Sequence, residues 1–235
     1  MTGRIPSYSK EQVLEILREN ARPGELAGMA RYGMTTENRL GVSVPVMREI
    51  AKQIKKNHDL ALQLWESRIA EARIVAALIA NPDELTELQM ESWVKDFNSW
   101  DVCDQVCMNL FDKTPLAWKK VQDWSQREEE YVKRAAFALI ACLAWHDKQA
   151  PDKKFLEMLP IIKNGATDPR NFVKKAVNWA LRHIGKRNRN LNQAALKMAY
   201  EIKKIDAKPA RWIAADAIRE LESEAVQKRL STKNK

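Results

Sequence analysis

Glycine and cysteine are scarce in this 235-residue chain, and two familiar glycine-rich signatures are missing altogether. Seven glycines disfavour a sheet protein that needs many tight turns. Neither GxGxxG nor GxxxxGK[ST] occurs, so the sequence signatures of dinucleotide-binding and P-loop proteins are excluded. Three cysteines, an odd number, do not make a disulfide framework.

Long apolar runs are also lacking. No stretch approaches the ~18 apolar residues of a membrane span, so none is predicted. The first residues, Met1-Thr-Gly-Arg-Ile-Pro-Ser, contain no apolar core of the signal-peptide type. With free cysteines, these features predict a protein of the reducing cytoplasm.

What the chain does have is an ordinary apolar content and an excess of positive charge. Hydrophobic residues make up 45%, enough for a core, and 40 Lys and Arg against 31 Asp and Glu give a formal charge of +9. A basic surface favours a polyanionic partner, because phosphate contacts release condensed counterions. Composition alone leaves open whether such a partner exists.

Apolar residues recur at helical spacing, and none of the chain shows a convincing period of two. Ser9 with Gln12 predicts a capped helix start, and Pro45 opens another helix. Further helices are predicted at 59–67, 70–80, 83–97, 99–111, 115–125, 129–146, 152–163, 170–185, 190–204 and 209–222. The basic end of the chain, 226–235, is expected to fray.

An internal repeat indicates how these helices are organised. Val132-Lys-Arg-Ala-Ala-Phe-Ala-Leu recurs 41 residues later as Val173-Lys-Lys-Ala-Val-Asn-Trp-Ala, with fainter copies at Glu71 and Arg211. A helical-hairpin period near 40 is typical of HEAT and armadillo repeats. We therefore predict an all-α superhelix of stacked HEAT-like hairpins over residues 1–225, a curved solenoid with a concave basic cleft.

The segment around Ser99 carries the first candidate site. Trp100 and Asp104 are four residues apart and share a helix face. An N-capping Ser99 and a first-turn Asp101 have a purely structural explanation, which does not extend to Asp104 one turn deeper.

A second set of candidates lies on the repeat-related helices. Arg134 and Trp179 lie on these helices, where Arg is more often structural and Trp more often part of the core. A basic cluster around the helix of Trp179 and its exit fits a phosphate-contacting surface and a solvated surface equally well: Lys174, Lys175, Lys186, Arg187 and Arg189. The cysteines and three histidines lack metal-ligand spacing, so neither a metal nor a cofactor is predicted.

Several segments, in order, resemble the DNA alkylation repair enzymes of the AlkD type, which are HEAT-like-repeat DNA glycosylases. The resemblance covers about residues 28–187. Its segments are Met29-Ala-Arg-Tyr, Gly41-Val-Ser-Val-Pro with Arg48, Ser99-Trp-Asp-Val-Cys-Asp, Val132-Lys-Arg-Ala-Ala and Lys174-Lys-Ala-Val-Asn-Trp-Ala-Leu-Arg. The chain departs from the family pattern at Ser99, where relatives have tryptophan, and at His183, where they often have glutamate.

The resemblance implies a role for individual residues. Asp104 matches the catalytic carboxylate, and Trp100, Trp179 and Tyr32 match aromatic residues at the lesion. Arg134 matches a basic residue at the DNA backbone, where Arg182, Lys174, Lys175 and Arg187 are also expected.

The resulting hypothesis is a monomeric, monofunctional glycosylase that excises cationic N3- or N7-alkylated purines from duplex DNA. Two alternatives remain open at this point. One is a DNA-binding family member without excision activity, and the other is a HEAT-type scaffold for protein interactions.

Overall fold

A computed structural model describes residues 8–232, and within them the chain is helical with no β-strand. The sequence predicts one repeat domain over 1–225, whereas the packing divides the chain into two compact units, Met1–Pro115 and Leu116–Lys235. In the described part of the chain, no helix is both long and apolar enough to cross a membrane.

The first unit contains seven α-helices among its described residues. They are α1 (Lys10–Glu19), α2 (Leu26–Arg31), α3 (Val44–Ile54), α4 (His58–Trp65), α5 (Ala70–Ile79), α6 (Glu87–Lys95) and α7 (Trp100–Asn109). Helix α5 is the central one, because nine of its ten residues are buried and it packs against α3, α4 and α7.

The second unit contains another seven helices in the part that the structure describes. They are α8 (Ala117–Ser125), α9 (Glu130–His146), α10 (Asp152–Gly165), α11 (Asn171–Gly185), α12 (Arg189–Lys203), α13 (Lys208–Leu221) and α14 (Glu224–Thr232). Helix α9 supplies most of the core, with twelve of its seventeen residues buried between α8 and α11. The predicted all-α fold of HEAT-like hairpins is confirmed.

Local sequence accounts for where several helices start. Ser9 and Gln12 form the predicted capping box of α1, in which each side chain bonds the other's backbone nitrogen. Pro45 occupies the first turn of α3 and Pro209 that of α13, where a missing N–H costs little. These devices are short in range, so they are readable from the sequence.

Helices of neighbouring hairpins contact each other through residues that are 38 positions apart in the chain. In the second unit, Asn178 donates to Asp216 at 2.7 Å, and Lys163 donates to Glu201 at the same distance. Small residues bring these helices together: a Cβ on Gly185 would lie 2.7 Å from the Leu221 side chain and 3.0 Å from Ala195. Glycine at this position therefore allows α11, α12 and α13 to pack closely.

Two helices were not expected from the sequence. The short α2 lies in a segment without a clear apolar period, and α14 covers most of the end that was expected to fray. That expectation is wrong for residues 226–232, because Val226 and Leu230 share one helix face and are both buried. Residues 233–235 lie outside the described part of the chain.

Candidate nucleic-acid interface

The start of α7 is fixed by a buried polar network. Arg39 donates to both carboxylate oxygens of Asp101, at 2.7 and 2.9 Å, and its Nε donates to the Thr35 carbonyl at 2.6 Å. The Arg39 side chain is 3% exposed and that of Asp101 15% exposed. A bidentate guanidinium–carboxylate pair of this kind combines electrostatic attraction with a fixed geometry.

Ser99 occupies the N-cap position of α7, as predicted, but its hydroxyl does not cap the helix. The hydroxyl instead donates to Asp101 at 2.5 Å, and it lies 3.4 Å from both the Thr35 backbone nitrogen and an Arg39 nitrogen. Ser99 is fully buried. At this departure from the family pattern, a small hydroxyl completes the network that anchors the helix.

Trp100, the first residue of α7, is held by its indole nitrogen. That nitrogen donates to the backbone carbonyl of Tyr32 at 3.0 Å, while the Tyr32 side chain is 75% exposed. Trp100 itself is partly exposed. The structure therefore brings two of the predicted lesion-contacting residues together in the first unit.

Asp104 lies one turn further along α7, on the same face as Trp100, and is partly exposed. A carboxylate beside an indole creates negative potential next to an electron-rich ring. Both groups attract a cation, so this face suits a positively charged base or a sugar with oxocarbenium character.

In the second unit, Trp179 lies on α11 and is partly exposed. Its ring meets the His183 imidazole edge to face, with the ring centres 5.7 Å apart. Burial, together with the charges of Lys186 and Arg182, lowers the pKa of His183 to about 4. The imidazole is therefore neutral at physiological pH.

Two predicted phosphate-binding lysines lie near the beginning of α11. Lys174 places its ammonium 4.6 Å from the ring centre of Trp212, an indole that is 41% exposed. Lys175 is exposed to solvent. These two cations are accessible to an anion without rearrangement of the helix.

The other predicted phosphate-binding residues have protein partners. Arg182 forms ion pairs with Glu220 and, at 3.6 Å, with Asp216. The pKa of Glu220 is lowered: burial acts to raise it, but the hydrogen bond from Lys186 and the charge of Arg182 outweigh that effect.

Arg134 and Arg187 bind backbone carbonyls. Arg134 is 5% exposed and donates to the Phe172 carbonyl at 2.5 Å, which ties α9 to the first turn of α11. Arg187 donates to the Ala144 and Ala150 carbonyls, each at 3.0 Å. Their predicted DNA contacts stay predictions, and the observed bonds give both arginines a structural role.

Sequence reasoning missed Arg39, although it organises the first candidate surface. The residue lies in a loop, 62 positions from Asp101, and no local pattern connects the two. The sequence offered one signal for a buried partner, Asp101 in the first turn after Ser99. Helix capping alone accounts for an acidic residue at that position, so the signal did not point to an arginine.

Comparison with known proteins agrees with the motifs. The pattern of the family described as "DNA alkylation repair enzyme" matches residues 13–221. No curated protein matches the chain in sequence.

Among solved structures, the chain is similar to a protein described as belonging to "a new family of proteins related to the HEAT-like repeat DNA glycosylases with affinity for branched DNA structures". The TM-score is 0.78 at 20% identity, covering 95% of this chain and 96% of that one. It is also similar to a designed armadillo repeat protein in complex with the peptide (KR)4, with a TM-score of 0.41 at 17% identity, covering 93% and 89%. The first likeness shows a shared fold. Because the family pattern extends over residues 13–221, the chain belongs to the DNA alkylation repair enzyme family.

Proposed function

We propose that this protein is a monofunctional DNA glycosylase that excises N3- or N7-alkylated purines from duplex DNA, acting as a monomer. The observation that carries the proposal is the face of α7, where a partly exposed Asp104 follows Trp100 by one turn. The Arg39–Asp101 pair and the Trp100–Tyr32 hydrogen bond hold the first turn of that helix in place.

The chemistry requires little acid catalysis. Alkylation at N3 or N7 makes the purine cationic, so cleavage of the C1′–N bond returns the electron pair to nitrogen and releases a neutral base. The sugar that remains has oxocarbenium character, and a carboxylate stabilises it as in glycoside hydrolysis.

Asp104 has two roles in this proposal. Its carboxylate lies against the developing positive charge, and it accepts a proton from the water that attacks C1′. The water oxygen becomes the new hydroxyl of the sugar, the proton passes to solvent, and an abasic site is left. Trp100 contributes the attraction of its ring face for the cationic base, roughly 0.5–2 kcal/mol.

DNA binding itself is assigned to aromatic and basic side chains. We place Tyr32 and Trp179 at the lesion on their match to the family motifs, and Lys174 and Lys175 at phosphates because they are accessible. Such phosphate contacts hold the duplex without reading its sequence. Arg182 contributes to the extent that DNA phosphates compete with Glu220 for its guanidinium.

The decisive experiment measures base release. Wild type is expected to free 7-methylguanine or 3-methyladenine from methylated duplex DNA, detected by chromatography under single-turnover conditions. Asp104→Asn should slow this release by about 100-fold or more, as for loss of other transition-state stabilisers, while affinity for unmodified duplex stays unchanged. Asp206→Asn is the matched control, because that carboxylate is 98% exposed in the second unit. No release by wild type, or equal release by the Asp104 variant, would contradict the proposal.

A second candidate is binding of DNA without excision. It is favoured by Ser99, where relatives have a tryptophan: the buried hydroxyl is engaged by Arg39 and Asp101, so this position offers no aromatic ring to a lesion. The structurally similar protein is described as having affinity for branched DNA structures. Salt-dependent DNA binding with no base release from any methylated substrate would select this candidate.

A further inference from the structure

An open pocket of about 620 Å³ lies in the second unit, and neither Lys174 nor Lys175 lines it. It forms where the end of α9, the beginning of α10 and the exit of α11 meet, and Arg229 of α14 closes one side. Its size falls within the roughly 300–1,000 Å³ typical of small-molecule sites. The segments that resemble the family contain none of its lining residues, and the lining residue His183 directly follows the last of them.

The walls carry four cationic side chains and one carboxylate. The cations are Lys148, Lys186, Arg187 and Arg229, and the carboxylate is Asp152. Arg229 donates to the Lys186 carbonyl at 3.0 Å, and a carbonyl orients a guanidinium without neutralising its charge. Asp152 accepts 2.7 Å hydrogen bonds from two asparagine side chains and keeps its negative charge. Lys186 is paired with Glu220 at 2.6 Å, so the excess of positive charge in the walls comes from Lys148, Arg187 and Arg229.

The His183 imidazole, which also lines the pocket, reports the local potential. Burial is the main cause of its lowered pKa, and the charges of Lys186, Arg182 and Arg229 lower it further. Glu220 acts in the opposite direction but does not compensate. The cations therefore produce a net positive potential at this wall, which favours an anion.

A half-exposed indole completes the pocket. Trp145 is 50% exposed, stacks on His146 with ring centres 4.8 Å apart, and meets the edge of His183 at 6.4 Å. Leaving a large aromatic surface in water is unfavourable unless a ligand covers it. An exposed indole beside clustered cations matches a ligand with one planar ring and one phosphate, because bases stack on aromatic faces in sequence-tolerant binding sites.

We propose that this pocket binds a single nucleotide, with its base on Trp145 and its phosphate between Lys148 and Arg229. In a nucleic acid the occupant is a nucleotide outside the base-paired stack, at a flap, a gap or a strand end. The proposal is independent of base excision, so its failure and that of the glycosylase proposal are separable.

The test uses the full chain and three probes: deoxyadenosine monophosphate, inorganic phosphate, and a duplex with or without a three-nucleotide unpaired flap. Wild type should bind the flap duplex about tenfold more tightly than the paired duplex, a factor within the range of one stacked base. Trp145→Leu should remove that preference and leave affinity for paired duplex unchanged. Lys148→Gln and Arg229→Gln should weaken flap binding and reduce its salt dependence.

Two controls isolate the pocket. Tyr200→Leu removes another exposed aromatic side chain of the same unit, and Lys52→Gln removes an exposed cation of the first unit. Neither should alter the flap preference. Thermal unfolding of every variant separates binding from folding, and an upward shift of the His183 pKa in NMR titrations on adding nucleotide reports anion binding without DNA.

The probes also distinguish a nucleotide within a DNA strand from a free nucleotide. Flap preference that depends on Trp145 assigns the pocket to a strand, whereas binding of the monophosphate without flap preference assigns it to free nucleotides. Equal binding of inorganic phosphate and the monophosphate would overturn the proposal, because the base would then contribute nothing. So would a wild-type flap preference that persists in Trp145→Leu.

Discussion

The indole Nε1 of Trp100 donates a hydrogen bond to the backbone carbonyl of Tyr32 across 68 positions of the chain. The bond joins the first residue of α7 to the residue that directly follows α2. Because the acceptor is a backbone atom, the Tyr32 side chain has no part in it and is left 75% exposed. Folding and ligand contact are thus separable at Tyr32.

Tyr32→Ala should therefore change DNA binding and leave stability nearly intact. Removing an exposed ring away from any buried contact should alter the free energy of unfolding by less than about 0.5 kcal/mol. Affinity for methylated duplex should fall severalfold if the ring contacts the lesion. Urea denaturation and fluorescence anisotropy measure the two effects. Trp100→Phe is the complementary variant, since it keeps an aromatic ring but loses the N–H donor, at a cost of about 1 kcal/mol. Equal DNA affinity of Tyr32→Ala and wild type would remove Tyr32 from the site.

Breaking the Arg39–Asp101 pair should destabilise the fold strongly. Arg39→Met leaves the mostly buried Asp101 carboxylate without its guanidinium, and loss of one partner of a buried pair costs roughly 3–5 kcal/mol. Asp101→Asn should have a similar effect on the urea midpoint. The double variant Arg39→Met/Asp101→Asn should lose less than the sum of the two single variants, because no unpaired charge remains. A loss below about 1 kcal/mol in both single variants would show that the pair does not anchor α7.

Acid should destabilise the protein through His183. Its pKa is about 4 in the folded chain and near the ordinary 6.5 when unfolded, so the unfolded state binds more protons between these values. The contribution is fully present above pH 6.5 and is lost as the pH falls toward 4. The shift corresponds to roughly 3 kcal/mol at most. The difference in unfolding free energy between wild type and His183→Gln, followed from pH 7 to 4, isolates this residue from the carboxylates. A pH-independent difference would show that His183 titrates normally.

Glu220 and Lys175 should affect DNA binding in opposite directions. Glu220→Gln removes the carboxylate that pairs with Arg182 and Lys186, so Lys186 becomes available for phosphate, while Arg182 keeps its 3.6 Å contact with Asp216. Affinity for unmodified duplex should rise, and the slope of log K against log salt should steepen by about one unit. Lys175→Ala should weaken binding and make the slope shallower by about one unit.

Glu222→Gln is the matched control for charge. Glu222 is exposed and accepts a hydrogen bond from Tyr200, so its removal frees neither Arg182 nor Lys186. If Glu220→Gln and Glu222→Gln change DNA affinity equally, the effect is one of net charge, and Lys186 does not contact DNA.

Much of this protein was determined by local sequence. Helix starts at Ser9, Pro45 and Pro209 depend on caps and backbone geometry a few residues long, so they were predictable. The repeat indicated hairpins because stacked helices bury similar apolar faces. The pairing of Trp100 with Asp104 likewise follows from the 3.6-residue period alone.

The tertiary structure decided which polar side chains are available. Arg134, Arg182 and Lys175 have the same charge and lie on related helices, yet one is buried against a carbonyl, one is held by carboxylates and one faces solvent. The partners of Arg134 and Arg182 lie 38 residues further along the chain, and no local sequence pattern constrains pairing over that distance. For the same reason the sequence did not reveal that Val226 and Leu230 find a buried surface and order α14. The helix face on which a side chain lies follows from the local spacing of residues. Burial and charge pairing depend on helices that are distant in the chain and that only the fold brings together.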